Sequence, residues 1–236
     1  MARRAIRVES RLNPARIKPV YVMQQRGVTH AEKAAVMDGL QAILSEAGVN
    51  GAVEVKDFGE WHQNDGEYGS AEWYVQQGRR MGRRRKHGEQ LNASTMISHC
   101  RAEPWRQKED HYDLFICSSD LWDGSMNINF IIGLASKGTG TVLSVARFRE
   151  PGLGERLKYE CIKTEVMHEM GHVFGLVTGR GKTEENLGPH CADSCTMRQG
   201  ITVPHDWIPI TQDRLRYGAF CQQCTNDLRG YFRELR

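Results

Sequence analysis

Residues 168–172 read His-Glu-Met-Gly-His, and the surrounding stretch over 155–176 has the residue spacing of an α-helix. On a helix, residues four apart lie one above the other on the same face. His168 and His172 can therefore bind one metal ion together, and Glu169 can reach a water molecule on that ion without being a ligand. This arrangement is typical of the hydrolytic centre of zinc peptidases. The alternative is a helix that happens to hold two histidines and an acid.

Both faces of this helix are partly apolar. One side carries, at spacings of three and four, the residues Ile162, Val166, Met170, Val173 and Phe174. The paired histidines lie nearly opposite, on the side that also carries Leu157 and Cys161. We therefore expect the helix to be buried between layers, with a metal ion as the partner of the buried imidazoles. Gly175 follows at a point where a left-handed turn would end the helix and redirect the chain.

The simplest histidine spacing does not identify the third metal ligand. A catalytic zinc ion usually takes three protein ligands and leaves one position open for water. The metzincin spacing would place the third histidine where this chain has Thr178, and the next histidine is His190. The longer loop over 176–189, interpreted as a surface excursion that returns, costs roughly 1.5–2 kcal/mol of closure entropy. Zinc binding contributes on the order of 10 kcal/mol. His190 is therefore favoured, and the alternatives are Glu184, Glu185 and Asp193.

Four of the seven cysteines form two close pairs, Cys191 with Cys195 and Cys221 with Cys224. Such pairs hold two thiolates where a tetrahedral zinc ion can take both, so the sequence predicts a structural four-cysteine zinc site. Two local disulfides are the competing interpretation. The odd number of cysteines and the lack of a secretory leader favour a reducing compartment, and hence a metal. The other cysteines lie in apolar contexts and are expected to be buried: Cys100, Cys117 and Cys161.

In combination, these elements resemble the archaemetzincins, a family of metzincin-type zinc peptidases. That family carries His-Glu-x-x-His-x-x-Gly, then a His-Cys pair, a second cysteine, a methionine two residues later and a final Cys-x-x-Cys. The matching elements here are residues 168–175, His190-Cys191, Cys195-Thr196-Met197 and Cys221-Gln222-Gln223-Cys224. Upstream, residues 129–135 resemble the family's strand before the active-site helix, and residues 141–148 resemble the strand that follows.

The resemblance implies an α/β (α+β) fold, in which a metzincin-like twisted mixed sheet lies over the active-site helix beside a small zinc-stapled C-terminal subdomain. Met197 would form the Met-turn, an apolar floor beneath the zinc-binding histidines. A substrate could add as an antiparallel strand along an edge that includes Asn129, Phe130, Ile131 and Gly133. The chain departs from the family in the insertion before His190, in the Cys191–Cys195 spacing and in the longer stretch between Met197 and Cys221.

Strands and helices alternate in the first half of the chain, which predicts a mixed α/β arrangement there. Residues 59–88 are too polar and glycine-rich to assign. We predict strands at 20–23, 52–56 and 114–117, and helices at 30–47, 89–100 and 211–235. An upper catalytic subdomain is expected over 1–176, with the active-site helix at about 155–176. A lower subdomain over 177–236 would hold the third ligand, the Met-turn and the cysteine site.

Composition is that of an ordinary globular protein, with 39% apolar and 26% charged residues. No run is long enough to cross a membrane and the N-terminus lacks the apolar core of a secretory signal, so we expect a cytoplasmic protein. The net charge of +3 indicates no general attraction to nucleic acid. One local cluster of basic residues is interpreted as a solvated loop. The alternative is a binding site for an acidic partner or for phosphates. The cluster comprises Arg79, Arg80, Arg83, Arg84, Arg85 and Lys86.

The predicted function is hydrolysis of peptide bonds in a peptide or protein substrate, with one catalytic and one structural zinc ion per chain. Zinc held by three histidines would lower the pKa of bound water to roughly 7. Glu169 would accept the water proton and pass it to the leaving amine. Endopeptidase and aminopeptidase action both stay open, and Tyr217 and His205 are candidate oxyanion donors. The alternative function is a non-catalytic, zinc-stabilised binding module that uses the basic cluster.

Overall fold

The computed structural model describes residues 17–60, 67–85, 88–125, 128–149, 152–178, 182–183 and 187–235. The strands are β1 Val20–Gln24, β2 Val55–Gly59, β3 Arg83–Arg85, β4 Gly88–Asn92, β5 Tyr112–Cys117, β6 Asp120–Trp122, β7 Gly133–Ser136, β8 Gly140–Ser144, β9 Lys182–Thr183 and β10 Pro189–His190. The α-helices are α1 His30–Glu46, α2 Ala71–Arg80, α3 Ala93–Ala102, α4 Glu155–Val173, α5 Ile208–Tyr217 and α6 Gln222–Glu234. Each of these helices is too short or too polar to cross a membrane.

The central sheet is mixed and has the order β2-β1-β5-β8-β7. Its first four strands run parallel, and β7 pairs antiparallel with β8 at the edge, with Gly133 opposite Leu143. Strands β3, β4 and β6 form a second, smaller sheet. The predicted α/β class with a mixed sheet is confirmed. The antiparallel edge strand β7 lies next to α4, and this proximity positions the site described below.

Two apolar cores cover the two faces of the sheet, because successive side chains of a strand point to opposite faces. In β5, Leu114 and Ile116 join the core that contains α1 and α4. The alternate residue Phe115 joins the core beneath α2 and α3. The structure is therefore layered as helices, sheet and helices. Helix α4 is buried along both of its sides, as its two apolar faces predict.

The contact between α1 and α4 depends on a glycine. A Cβ atom on Gly39 of α1 would lie 2.8 Å from the backbone oxygen of Lys163 and 2.8 Å from the Cβ of Val166. Only glycine lets the two helices approach this closely without displacing one of them. The α1 helix begins with a capping box, in which Thr29 accepts from the backbone of Glu32 and the Glu32 side chain accepts from the backbone of Thr29.

Two predicted helices are wrong in extent. The first residues of the predicted helix 89–100 form a strand instead, because Gln90 and Leu91 pair with β6. The side chain of Asn92 then caps α3. The predicted helix 211–235 is two helices, since Gly218 has a φ of +101° and breaks the run between α5 and α6. Part of the unassigned stretch over 59–88 forms α2 and β3.

Smaller corrections concern where elements begin and end. Strand β2 begins at Val55 rather than at 52, after a turn in which Gly51 has a positive φ. The strands expected over 129–135 and 141–148 are shorter, and the second is followed by a 3₁₀ turn at Ala146–Arg149. Helix α4 ends at Val173 rather than at 176, and Gly175 has a φ of +78°, which confirms the predicted left-handed turn.

Replacing Gly39 with alanine is expected to lower the free energy of unfolding by about 1–3 kcal/mol, because the added methyl group overpacks the interface between α1 and α4. The matched control is Gly230→Ala in α6, where the added Cβ would meet no atom closer than 3.9 Å. That variant should gain about 0.5–1 kcal/mol from helix propensity. Urea unfolding measures both values, and an equal gain in both variants would contradict the close contact at Gly39.

Candidate metal centre and cleft

Three imidazoles converge at the C-terminal half of α4. His168 and His172 are one helical turn apart on α4, and His190 lies in β10, which pairs with β9. One ring nitrogen from each of the three histidines lies within 4.8 Å of those of the other two. The loop after α4 thus returns to the helix, and the structure brings together the three histidines selected from the sequence.

The orientations of the rings direct the Nε2 lone pair of His168 toward the Nε2 atom of His172. The Nδ1 of His168 lies 2.8 Å from the Thr196 carbonyl oxygen and donates its proton there, so Nε2 carries the lone pair. This Nε2 is 3.2 Å from the Nε2 of His172. Burial lowers the pKa of His168, and burial together with His190 lowers that of His172 to about 3, so both rings are neutral.

These distances fit a zinc ion. Two nitrogens on one tetrahedral zinc ion are about 3.3 Å apart at the usual bond lengths. The His168–His172 separation of 3.2 Å matches this value. A zinc-bound histidine usually donates its other N–H to a carbonyl or carboxylate oxygen. His168 does so to Thr196, and the Nδ1 of His190 lies 3.1 Å from the Gly188 carbonyl oxygen. The residues present therefore have the chemistry and the spacing of a three-histidine zinc site.

Glu169 lies beside the histidines and against the edge of the sheet. It is buried, and burial raises the pKa of its carboxyl group. A Cβ atom on Gly133, the first residue of β7, would lie 2.5 Å from a carboxylate oxygen of Glu169. Because Gly133 has no side chain, the carboxylate can lie directly against the edge strand. A group bound along β7 would therefore be next to Glu169.

Met197 lies beneath α4 and is fully buried. A Cβ atom on Gly171 would lie 2.4 Å from the Met197 sulfur. The methionine therefore packs against α4 at Gly171, which lies between His168 and His172 in the sequence. The backbone nitrogen of Cys191 donates to the Met197 carbonyl oxygen at 2.8 Å. This bond ties the segment around Met197 to the residue that follows His190.

The four paired cysteines also come together. Their sulfur atoms all lie within 4.8 Å of one another, and all seven cysteines are free thiols. The sulfurs of Cys191 and Cys221 are 3.8 Å apart, which is about the separation of two thiolates on one tetrahedral zinc ion. A hydrogen bond from Cys224 lowers the pKa of Cys195 to about 6. The thiols expected to be buried elsewhere are buried, namely Cys100, Cys117 and Cys161.

A cleft of about 330 Å³ lies over the histidines. Of the four residues predicted to contact substrate, Phe130, Ile131 and Gly133 line it. Asn129 does not line it, because it is exposed and its carbonyl oxygen accepts bonds from Arg83 at 2.5 Å and from Gln90 at 3.0 Å. The walls also contain four polar residues that were not predicted from the sequence, Glu165, Lys137, Gln199 and Trp207. The i, i+4 spacing of Glu165 from Glu169 is the signal that could have found the first of them.

The remaining candidates lie elsewhere. Asp193 is exposed and is not among the grouped histidine ligands, and Glu184 and Glu185 lie outside the described residues. Neither suggested oxyanion donor lines the cleft, since Tyr217 is 67% exposed and His205 is also on the surface.

The basic cluster is not a simple loop. Arg79 forms ion pairs with Glu72 and Glu89. Arg83 lies over the Trp122 ring, with its guanidinium carbon 4.2 Å from the ring centroid. Both bases are therefore used within the fold. Arg80, Arg84 and Arg85 are exposed, and Lys86 lies outside the described residues.

Comparison with known proteins gives no matching family model. The archaemetzincin of Nanoarchaeum equitans is 37% identical over 88 residues, which are 37% of this chain and 39% of that protein. The archaemetzincin of Archaeoglobus fulgidus is 30% identical over 118 residues, 49% of this chain and 59% of that protein. The chain thus spans about half the length of the curated relatives it matches.

Solved structures agree with these sequence matches. The Methanopyrus kandleri archaemetzincin superposes with a TM-score of 0.59 at 22% identity, over 92% of this chain and 97% of that one. The chain is archaemetzincin-like. A zinc-dependent peptidase from Methanocorpusculum labreanum also superposes, with a TM-score of 0.55 at 16% identity, over 89% and 99% of the two chains. At these identities the structural matches establish the archaemetzincin fold, and the sequence matches confirm the resemblance found in the motifs.

The geometry of the cysteines predicts the effect of removing one of them. Cys224→Ala is expected to lower the zinc content by one ion per chain and to lower the midpoint of thermal unfolding, because three thiolates no longer close the site. The control is Cys117→Ala, which removes a buried thiol outside the cluster and should leave the zinc content unchanged. Zinc is measured by emission spectrometry on the same samples. An unchanged zinc content in Cys224→Ala would contradict the four-cysteine site.

Proposed function

We propose that this chain is a zinc-dependent metallopeptidase that holds one catalytic and one structural zinc ion. One observation carries the proposal: three imidazoles meet in a cleft with the Glu169 side chain beside them. The archaemetzincin names of the curated relatives and the peptidase title of one solved structure support it.

Three histidines leave one position of a tetrahedral zinc ion free, which is the arrangement of catalytic rather than structural sites. When bound, zinc would lower the pKa of water and polarise the scissile carbonyl group. The protein's own residues then have separate tasks. The Thr196 carbonyl oxygen fixes the ring of His168 through its Nδ1, and His190 is carried into place by the short pairing of β9 with β10.

Glu169 is the proposed general base. Its carboxylate accepts the proton of the attacking water and passes it to the nitrogen of the departing amine. It lies next to the backbone at Gly133, so the proton path runs between the helix and the edge strand. Trp207 lines the same cleft, and its buried indole N–H has no acceptor among the described residues, so it is the proposed hydrogen-bond donor to the carbonyl group under attack.

The substrate is a peptide or protein segment in extended form. Strand β7 is the edge of the main sheet, and Gly133, Leu134 and Ala135 line the cleft. An extended peptide can add to such an edge through main-chain hydrogen bonds. The proposed division places the sheet and α4 above the cleft, in residues 1–176. The segment over 177–236, with His190, Met197 and the four cysteines, lies below it.

Glu169→Gln is expected to keep the zinc content and to lower kcat/KM for peptide cleavage by at least about 10²–10⁴-fold, because the amide cannot accept the proton. Cleavage is followed by mass spectrometry on a pool of peptides with zinc-loaded enzyme. The control is Glu155→Gln at the start of the same helix, where the side chain is 80% exposed and far from the histidines in sequence. Full activity of Glu169→Gln would contradict its role as base.

A further inference from the structure

Glu165 is a buried acid for which the proposed mechanism has no task. It lies one turn before Glu169 on α4, is fully buried and lines the cleft. Its hydrogen-bond partner is the Glu169 carboxyl group, and no basic side chain or N–H group in the part of the chain that the structure describes donates to either of its carboxylate oxygens. Its charged neighbour is the Glu169 carboxylate, and burial together with this neighbour raises the pKa of Glu165.

A buried pair of carboxyl groups without a basic partner is unfavourable, because the charge that it carries has lost its water and has no cation in exchange. Buried acids elsewhere in this protein have partners. Glu32 accepts from Arg149 at 2.7 Å, and Asp120 is paired with Arg147. The lack of a basic partner at Glu165 and Glu169 is therefore a property of the cleft, where a ligand can supply the positive charge that the protein does not.

The residues that line the rest of the cleft indicate which kind of ligand would fit. Its walls near α4 and β7 are largely apolar and include Phe130, Ile132 and Leu134. Two further residues of the cleft wall have buried polar atoms without partners among the described residues, Trp207 at its indole nitrogen and Gln199 at its amide. An apolar stem with a charged tip suits such a lining, because the stem packs on the walls while the tip meets the carboxylate.

The wall that carries Gln199 is held in place. A Cβ atom on Gly200 would lie 2.9 Å from the Trp207 ring, so the backbone packs directly on the indole. The Asp206 carboxylate accepts from the backbone nitrogens of Ile201 at 3.0 Å and Thr202 at 2.7 Å. The polar groups opposite α4 are thus set on a fixed segment, and a ligand need not order that segment on binding.

We propose that Glu165 is a specificity residue that binds a positively charged nitrogen of the substrate, with the apolar walls holding the carbon chain attached to it. The nitrogen can belong to a lysine or arginine side chain, or to the free α-amino group of the peptide. This inference rests on the proposed function, because it places the contact in the substrate cleft of a peptidase.

The first test compares matched peptides on the zinc-loaded full chain. Peptides carry a single lysine at each position in turn, or norleucine in its place, and each exists with a free or an acetylated N-terminus. We expect one of these changes, lysine to norleucine or free to acetylated, to lower kcat/KM by roughly 10- to 100-fold, as for a lost hydrogen bond to a charged group. The change that matters identifies the source of the nitrogen.

Variants then assign the preference to Glu165. In Glu165→Gln the preference for the charged peptide should fall to near unity, because the amide keeps the size of the side chain without its charge. The control Glu155→Gln, exposed on the same helix, should retain the preference. A preference that is unchanged in Glu165→Gln, or its absence from the wild-type enzyme, would overturn the proposal.

A binding experiment separates this inference from the proposed function. Isothermal titration of the same peptides into zinc-loaded Glu169→Gln, with Glu165 intact, reports the preference as a ratio of Kd values without any turnover. If the wild-type chain cleaves no peptide, the proposed function fails, while a 10-fold or larger Kd ratio still supports the contact with Glu165. Equal Kd values for charged and neutral peptides would overturn it in either case.

Discussion

Three imidazoles that bring one ring nitrogen each to the same place inside a protein need a partner for their lone pairs, and a cation between them supplies it. In this chain that constraint joins parts of the fold that are far apart in sequence. Helix α4 brings two of the imidazoles and is fixed by its contact with α1 at Gly39. His190 arrives from a separate hairpin. A bound ion would thus stabilise the contact between the sheet with its helices and the C-terminal segment, in addition to any chemistry.

The cysteine cluster and the histidine cluster are linked through neighbouring residues. Cys191 follows His190 directly, and its backbone nitrogen bonds to the Met197 carbonyl oxygen. Thr196, which follows Cys195, orients His168 through its own carbonyl oxygen. A metal held by the cysteines would therefore set the positions of two backbone segments that orient the histidine site. Short irregular segments bury little apolar surface, and a metal staple offsets this weakness.

The sequence predicted the site better than it predicted the limits of the fold. The histidines and cysteines were found because metal ligands require particular residue types at particular spacings. The strand at Gln90 and Leu91 was missed because its pairing with β6 is a contact between distant residues that no local pattern records. The break at Gly218 was missed because apolar periodicity continues on both sides of it. Glu165 was missed because an acid on a helix is ordinary until the structure places it in a cleft, beside a second acid and without a basic partner.

The proposed chemistry requires one zinc ion bound by His168, His172 and His190. Anomalous diffraction collected on either side of the zinc absorption edge, from crystals of zinc-loaded protein, tests this claim most directly. We expect a strong anomalous peak at about 2.0–2.1 Å from one nitrogen of each ring, the usual zinc–nitrogen distance. A map with a peak among the four cysteines and none between the three imidazoles would contradict it.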